Sequence, residues 1–253
     1  MTGVQTCALP ISPEAGPERR YRSAPLPNEA GLNYVHWDLR TQPFEVFPGM
    51  IYWGVRTSAP AVPPGDYTVR LTSGGEVFTV PLSVQRNPWI TDVTDADLQA
   101  QFEFGEIVRD KVTEANREVI MVRNMKAQLE NRMERSDDAR LAEAGARLDM
   151  EASEVEQWIY QVLNEAGQDP LNFPIRVNNR LANLLSMSER GDGRPGNNMP
   201  VIFDILVEEL TGYQQQLDAI WQLELGEVNR ILSDLGLPAI DPECDQPEGC
   251  LVT

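Results

Sequence analysis

The longest pattern of hydrophobic and polar positions runs over residues 97–133, where apolar or small side chains recur every three or four residues. This spacing puts them on one face of a helix. At about 1.5 Å per residue the helix would extend roughly 55 Å, so it needs long partner helices to cover that face. The positions are Leu98, Phe102, Gly105, Val108, Val112, Ala115, Val119, Val122, Met125, Leu129 and Met133.

Three more helical patterns follow, and together they predict an antiparallel bundle of about four helices over residues 92–240. In residues 137–166 the apolar positions alternate in steps of four and three, which is typical of an antiparallel coiled-coil seam. They are Leu141, Gly145, Leu148, Ala152, Val155, Ile159, Val162 and Ala166. A shorter helix is predicted over residues 174–189 and a long one over residues 201–235.

Residues 31–91 show the two-residue alternation of strands, with Pro and Gly turns between them. Residues 66–84 alternate on both sides of a Ser-Gly-Gly turn, which predicts a hairpin. Residues 32–40 alternate as well, and Trp37 among them is the expected β-core anchor. The predicted fold class is therefore α+β and multidomain: a partial immunoglobulin-like or fibronectin-like β-sandwich, truncated on its N-terminal side, followed by the helical bundle.

The first 30 residues are predicted to be a non-native or disordered leader and linker. Residues 1–12 (MTGVQTCALPIS) have no helix or strand period and resemble the translated read-through of a sequencing adapter, a contaminant of metagenomic assemblies. The alternative is a disordered native terminus. Residues 13–27 are rich in Pro, Glu, Arg and Ser, as linkers are. At the other end, residues 241–253 are expected to form a flexible tail.

The composition limits the classes of partner that the chain could bind. The chain of 253 residues has 21 basic and 39 acidic residues, a net charge of −18, which would repel nucleic acid and anionic membranes. Its hydrophobic content of 42% suffices for a folded core. No apolar run approaches the roughly 20 residues that span a bilayer. We therefore expect neither nucleic-acid binding nor membrane insertion.

Two cysteines, Cys244 and Cys250, lie in a tail that reads DPECDQPEGC. A disulfide between them is feasible; free thiols are the alternative, and a metal site is a weak one because two thiols fall short of a zinc set. So short a loop would contribute about 2 kcal/mol at most. The disulfide would imply an oxidising compartment.

The sequence offers few candidates for chemistry. His36 is the only histidine, so a triad or a two-histidine metal site lacks a second imidazole. Pairs of helix carboxylates could serve glycoside hydrolysis, but a solvated helix face is the simpler interpretation. Asp192, Asn197 and Asn198 could contact calcium, although they lack the register of a calcium loop. We therefore assign no catalytic, cofactor-binding or metal-binding residue and expect no cofactor. The carboxylate pairs considered are Glu103 with Glu106, and Glu208 with Glu209.

Three asparagines in one predicted helix have the better claim to a specific role. Asn178, Asn179 and Asn183 fall within six residues, although asparagine is a poor helix former. Asn179 and Asn183 are spaced to face one partner. A buried polar network that fixes helix register is the predicted role, with ligand binding as the alternative.

Four strings of the chain resemble the C-terminal region of large bacterial exported proteins. They are residues 33–40 (NYVHWDLR), 47–53 (FPGMIYW), 64–71 (PGDYTVRL) and 169–185 (DPLNFPIRVNNRLANLL). Those proteins begin with a sortilin-like or BNR-repeat β-propeller and are often labelled glycosyl hydrolases. The resemblance implies an export signal and a propeller upstream, and hence a periplasmic, cell-surface or secreted location. Any catalytic residues would belong to that propeller.

The predicted function is a non-catalytic C-terminal accessory or interaction module whose partner is the upstream propeller or another protein. One alternative is that the parent protein is a glycoside or peptide hydrolase and that this part shapes its site. The other is an independent helical binding module. A fold shared by many activities does not decide among them.

Overall fold

Two strands precede a series of helices in this chain. In the computed structural model, residues 28–55 and 59–244 are described. The elements are β1 (Gly65–Ser73), β2 (Glu76–Val84), α1 (Asp95–Glu134), α2 (Ala139–Ile159), α3 (Val177–Ser188), α4 (Met199–Ile220) and α5 (Gly226–Asp234). The fold is therefore mixed helix and sheet, as the sequence predicts.

The predicted hairpin is confirmed. Strands β1 and β2 pair antiparallel over their whole length. Their turn residues Gly74 and Gly75 have φ angles of 59° and 86°, the left-handed region that two-residue hairpin turns require. Directly opposite residues share a face of the sheet, so the register collects the apolar side chains on one side. The apolar pairs are Tyr67 with Leu82, Val69 with Val80, and Leu71 with Phe78.

Helix α1 begins with a capping box. The Asp97 backbone N–H donates to the Thr94 hydroxyl at 3.2 Å, and the Thr94 N–H donates to the Asp97 carboxylate at 3.1 Å. The helix then runs for 40 residues. Its predicted apolar face is buried, including Val108, Val112, Ala115, Val119, Val122 and Met125.

Helix α2 follows after a short turn and ends earlier than its pattern predicts. The seam is buried from Leu141 to Ile159, but the helix stops there and does not continue to Ala166. The next residue, Tyr160, is extended and buried, with its ring edge against Phe47 at 4.9 Å between centroids. Burying this aromatic ring against the segment that precedes the hairpin competes with a further helical turn, because ring burial is a large apolar gain.

Helices α4 and α5 form one rod interrupted by a π-helical turn, Trp221–Leu225. The buried positions are three residues apart before the turn (Leu217, Ile220) and three apart after it (Leu225, Val228), but five apart across it. A step of five residues matches the wider π turn, in which each hydrogen bond spans five residues. The turn therefore keeps both halves of the rod facing the same core.

One hydrophobic core joins the helices. Helix α1 packs against α2, α3 and α4, and α2 packs against α4 and α5. The segment that precedes the hairpin contributes four buried residues to this core, Phe44, Phe47, Met50 and Tyr52, which sequence reasoning had assigned to the sandwich. No helix in the described ranges is long and apolar enough to cross a membrane.

The predicted strand over residues 32–40 is not formed. This segment is irregular and exposed, apart from an isolated bridge between Arg40 and Ala61. Trp37 is 41% exposed and is not the buried anchor that the sequence predicts; its ring contacts Tyr67, and its Nε1 donates to the Arg40 carbonyl at 2.8 Å. The reason is that within residues 28–55 and 59–244 the sheet has two strands and no second layer covers it. The sheet is thus a hairpin, and the sandwich stays a prediction.

Candidate functional site

The residues that the sequence offered for catalysis lie on separate elements. His36 is on the exposed segment before the hairpin, while the carboxylate pairs lie on α1 and α4. Glu106 forms an ion pair with Arg109, and Glu209 forms one with Arg180. Carboxylates engaged in this way favour the interpretation as a solvated helix face.

The asparagines of α3 lie where this helix meets α1 and the segment that precedes the hairpin. Asn178 is fully buried, and its Nδ2 donates to Asn116 Oδ1 on α1 at 3.1 Å. The Tyr52 hydroxyl donates to the same oxygen at 2.6 Å. Asn116 Nδ2 donates to the Glu45 carbonyl oxygen at 2.6 Å. One buried amide thus connects two helices and the segment, and buried polar groups need such partners.

Asn179 continues the network with a two-point contact. Its Oδ1 accepts from the Trp53 backbone N–H at 2.8 Å, and its Nδ2 donates to the Trp53 carbonyl at 3.0 Å. Asn183 lies beside Gly54, where an added Cβ would meet the Asn183 Oδ1 at 3.2 Å. Gly54 has a φ of 74°, which glycine adopts without strain. Asn179 and Asn183 therefore lie against this segment, while Asn178 reaches it through Asn116; the predicted role in fixing helix register stays a prediction.

A cleft of about 880 Å³ lies between two stretches of chain that cross α1. Residues 45–48 form one wall and residues 242–244 the other. Side chains of α1 hold both walls: Asn116 binds the Glu45 carbonyl, and Asn124 Nδ2 donates to the carbonyls of Pro242 (3.3 Å) and Cys244 (3.1 Å). The size is within the range of ligand-binding pockets.

Glu118 is the chemically distinctive group in this cleft. Burial raises the pKa of its carboxyl; the hydrogen bond from Gln214 opposes the rise, and the charges of Asp218 and Glu114 add to it. Glu45, by contrast, is ion-paired with Arg117. A raised pKa is one property of a general acid, and nothing in the sequence singles out Glu118.

The loop between α3 and α4 carries the calcium candidates Asp192, Asn197 and Asn198. Gln101 of α1 holds this loop, since its Nε2 donates to the carbonyls of Ser188 and Gly191. In the part of the chain that the structure describes, no group of three or more His, Cys, Asp or Glu residues could hold a metal ion. The geometry of the loop is therefore accounted for by protein contacts.

Cys244 is disulfide-bonded. The other cysteines, Cys7 and Cys250, lie outside the described residues, so the pairing with Cys250 stays a prediction. The chain before Cys244 is tied down by side-chain amides: Gln128 Nε2 donates to the Asp241 carbonyl at 2.7 Å, and the Asp241 N–H donates to Gln128 Oε1 at 3.0 Å. The start of the predicted flexible tail is thus bound to α1.

The second candidate surface is the apolar face of the hairpin, which we call the hairpin face. It consists of the three cross-strand pairs given above, and most of its side chains are exposed. Val80 is 61% exposed and Phe78 is 51% exposed. Exposed apolar residues gathered on one face indicate an interaction surface, whereas single ones scattered over a protein do not.

Sequence patterns could have found the hairpin face but not the cleft. The alternation of residues 66–84 already separates the apolar from the polar side. Glu118, however, lies in a helix where many glutamates follow the same polar pattern. Its burial depends on Gln214, which is 96 residues away in the chain. No local signal carries that information.

Comparison with known proteins assigns no role to these residues. When the chain is compared with models of protein families, with curated proteins and with solved structures, nothing matches in any of the three.

Proposed function

We propose that this chain is a non-catalytic C-terminal accessory and interaction module of a larger exported protein with an upstream β-propeller. The observation that carries the proposal is the hairpin face, whose apolar side chains are exposed to water. An isolated two-stranded sheet is marginally stable, so exposing its apolar side is costly unless a partner covers it. The resemblance of four separate strings to such proteins supports the same conclusion.

Two finer structural inferences belong to this proposal. The hairpin is one part of a β-sandwich, and the helices form an antiparallel bundle whose core supports it. The buried seams of α1 and α2 favour the bundle. The disulfide at Cys244 favours export, because disulfides persist in oxidising compartments. The partner is the upstream propeller or another protein.

The alternative, a glycoside or peptide hydrolase, has one observation in its favour within this chain. Glu118 lies in a cleft and its pKa is raised. Glycoside hydrolysis needs two carboxyl groups with different roles. Of the other glutamates on the cleft, Glu45 and Glu114 are ion-paired with Arg117 and Lys111, while Glu243 lies exposed on the wall formed by residues 242–244. The non-catalytic proposal therefore rests on the hairpin face and not on the cleft.

The test is an activity assay of the chain with chromogenic glycosides and with peptide substrates. The proposal predicts no turnover by the chain or by its Glu118→Gln variant. Turnover that is lost in Glu118→Gln but kept in Glu130→Gln, an exposed glutamate elsewhere on α1, would overturn it.

A further inference from the structure

We propose that a β-sheet layer from another domain of the same polypeptide covers the hairpin face, and that the contact forms only because the two domains are linked. This inference rests on the proposed function and adds the nature of the partner. The argument uses the asymmetry of the hairpin, the area of its apolar face, and the contacts that the face already makes.

The two sides of the hairpin differ in character. The hairpin face carries three apolar pairs, while six of the eight residues on the opposite side are polar: Asp66 opposite Ser83, Thr68 opposite Pro81, Arg70 opposite Thr79, and Thr72 opposite Val77. In antiparallel sheets this alternation separates a side that packs on a core from a side that faces water. One side of the hairpin is therefore built for burial, and the described residues leave it uncovered.

The area of the hairpin face distinguishes between possible partners. Nine residues per strand at about 3.4 Å each, and two strands about 4.8 Å apart, give a face of about 30 by 10 Å, or about 300 Å². A stable complex of separate proteins buries about 800 Å² on each side. Domains of one chain associate through smaller interfaces, from about 300 Å² on each side. The face is thus too small for a second copy of the chain and sufficient for a linked domain.

A covalent link between the two domains compensates for the small area of their contact. A flexible connection holds two domains at an effective concentration of about millimolar, so a contact too weak to form between separate molecules is populated within one molecule. The expected behaviour of this chain alone is therefore that of a monomer with an exposed hairpin face.

The shape and contacts of the hairpin face favour a sheet as the covering element. Extended segments present flat rows of β-branched and aromatic side chains that pack about 10 Å from one another. An aromatic side chain already touches the face in this way: the Trp37 ring, from the irregular segment before the hairpin, makes a T-shaped contact with Tyr67, with centroids 6.3 Å apart at an interplanar angle of 71°. A lipid surface is disfavoured, because a net charge of −18 is repelled by anionic headgroups.

The test uses two lysine substitutions in neighbouring residues of β1. Val69→Lys places a charge on the hairpin face, and Thr68→Lys places one on the polar side, opposite Pro81. Both residues are exposed in this chain. We therefore expect both variants of this chain to melt within about 2 °C of the parent, since exposed substitutions change stability little. Sedimentation of the chain between about 5 and 200 µM should show a monomer.

The decisive comparison is made in the longer polypeptide encoded by the recovered gene. Val69→Lys should lower its melting temperature by about 5 °C, while Thr68→Lys should leave it unchanged. Equal effects of the two variants, or a dimer of this chain that Val69→Lys dissociates, would overturn the inference and leave the proposed function standing. A reading frame that begins within the first 30 residues would instead contradict the proposed function.

Discussion

Asn116 connects three parts of the chain through one side chain. It is fully buried on α1, accepts hydrogen bonds from Tyr52 and Asn178, and donates to the Glu45 carbonyl. Because Tyr52 and Asn178 are buried, each would lose a hydrogen bond in a place that water does not readily reach if the Asn116 amide were removed. Asn116 was not singled out from the sequence, because nothing near it in the chain indicates its partners.

We predict that Asn116→Ala lowers the free energy of unfolding by about 3 kcal/mol, measured by urea denaturation. Tyr52→Phe removes the hydroxyl that donates to Asn116. The double variant should therefore lose about 1 kcal/mol less stability than the sum of the two single losses. Glu130→Ala, exposed on the same helix, should change stability by less than about 0.5 kcal/mol. Additive effects of Asn116→Ala and Tyr52→Phe would contradict the network.

Glu118 gives a pH-dependent prediction. Because burial raises the pKa of its carboxyl in the folded protein, the folded state binds a proton more readily than the unfolded state, and stability due to this group falls as pH rises above its ordinary pKa of 4.5. Glu118→Gln removes the ionisation but keeps an oxygen for the Gln214 hydrogen bond. The variant should therefore be more stable than the parent at pH 7.5.

The same reasoning predicts that the gain disappears near pH 4, where Glu118 of the parent is already protonated. Urea denaturation at the two pH values measures this, with Glu130→Gln as the control that should show no such change. A Glu118→Gln variant that is less stable than the parent at pH 7.5 would show that the carboxylate is favourable in its ionised form.

The elements show which features a sequence pattern can predict. The three- and four-residue steps gave α1 within two residues of its bounds, because its own apolar face determines where it packs. The early end of α2 at Ile159 was not predictable, since it depends on Tyr160 packing against Phe47 more than 100 residues away in the chain. Trp37 failed as a core anchor for a related reason: alternation predicts a buried side but does not supply the layer that buries it.

The π turn yields a prediction at this scale. Deleting Gln222, which is exposed, should convert the five-residue step between Ile220 and Leu225 into an α-helical step of four. Because the buried faces on both sides keep their direction, the protein should still fold and melt within about 4 °C of the parent, a change of about 1 kcal/mol.

A matched deletion distinguishes a register change that the π turn absorbs from a general tolerance of the protein to one-residue deletions. Gln215 is exposed in the regular part of α4, which has no π turn and therefore no extra residue to lose. Deleting it rotates Leu210 by about 100° relative to Leu217. This variant should lose cooperative melting. Circular dichroism during heating measures both variants, and equal behaviour would mean that the π turn does not absorb a register change.

At the scale of the whole molecule, the chain has two regions that differ in how fully their apolar side chains are buried. The helices and residues 44–52 share one core and hold one another by buried amides and ion pairs. The hairpin pairs its two strands with each other but leaves its apolar face in water. Residues 44–52, which precede the hairpin, thus belong to the same core as the helices, and the domain boundary near residue 92 stays a prediction.

This difference also explains the limits of prediction from the sequence. Patterns within one element gave the helices, the hairpin and its apolar side. The cleft, the asparagine contacts and the burial of Glu118 required knowledge of where residues 45–54 lie on α1, which is set by contacts distant in the chain. The proposed function depends on a feature that both the sequence pattern and the structure show, an apolar sheet face that the described residues leave exposed.

Hydrogen exchange of the hairpin amides, followed by mass spectrometry in this chain and in the longer polypeptide that the proposed function requires, most directly tests whether a partner covers the hairpin face. We expect residues 65–84 to exchange rapidly in this chain and at least about 100-fold more slowly in the longer polypeptide, while α1 exchanges equally in both. Equal exchange of the hairpin in the two proteins would contradict the account, as would a hairpin in this chain already protected as strongly as α1.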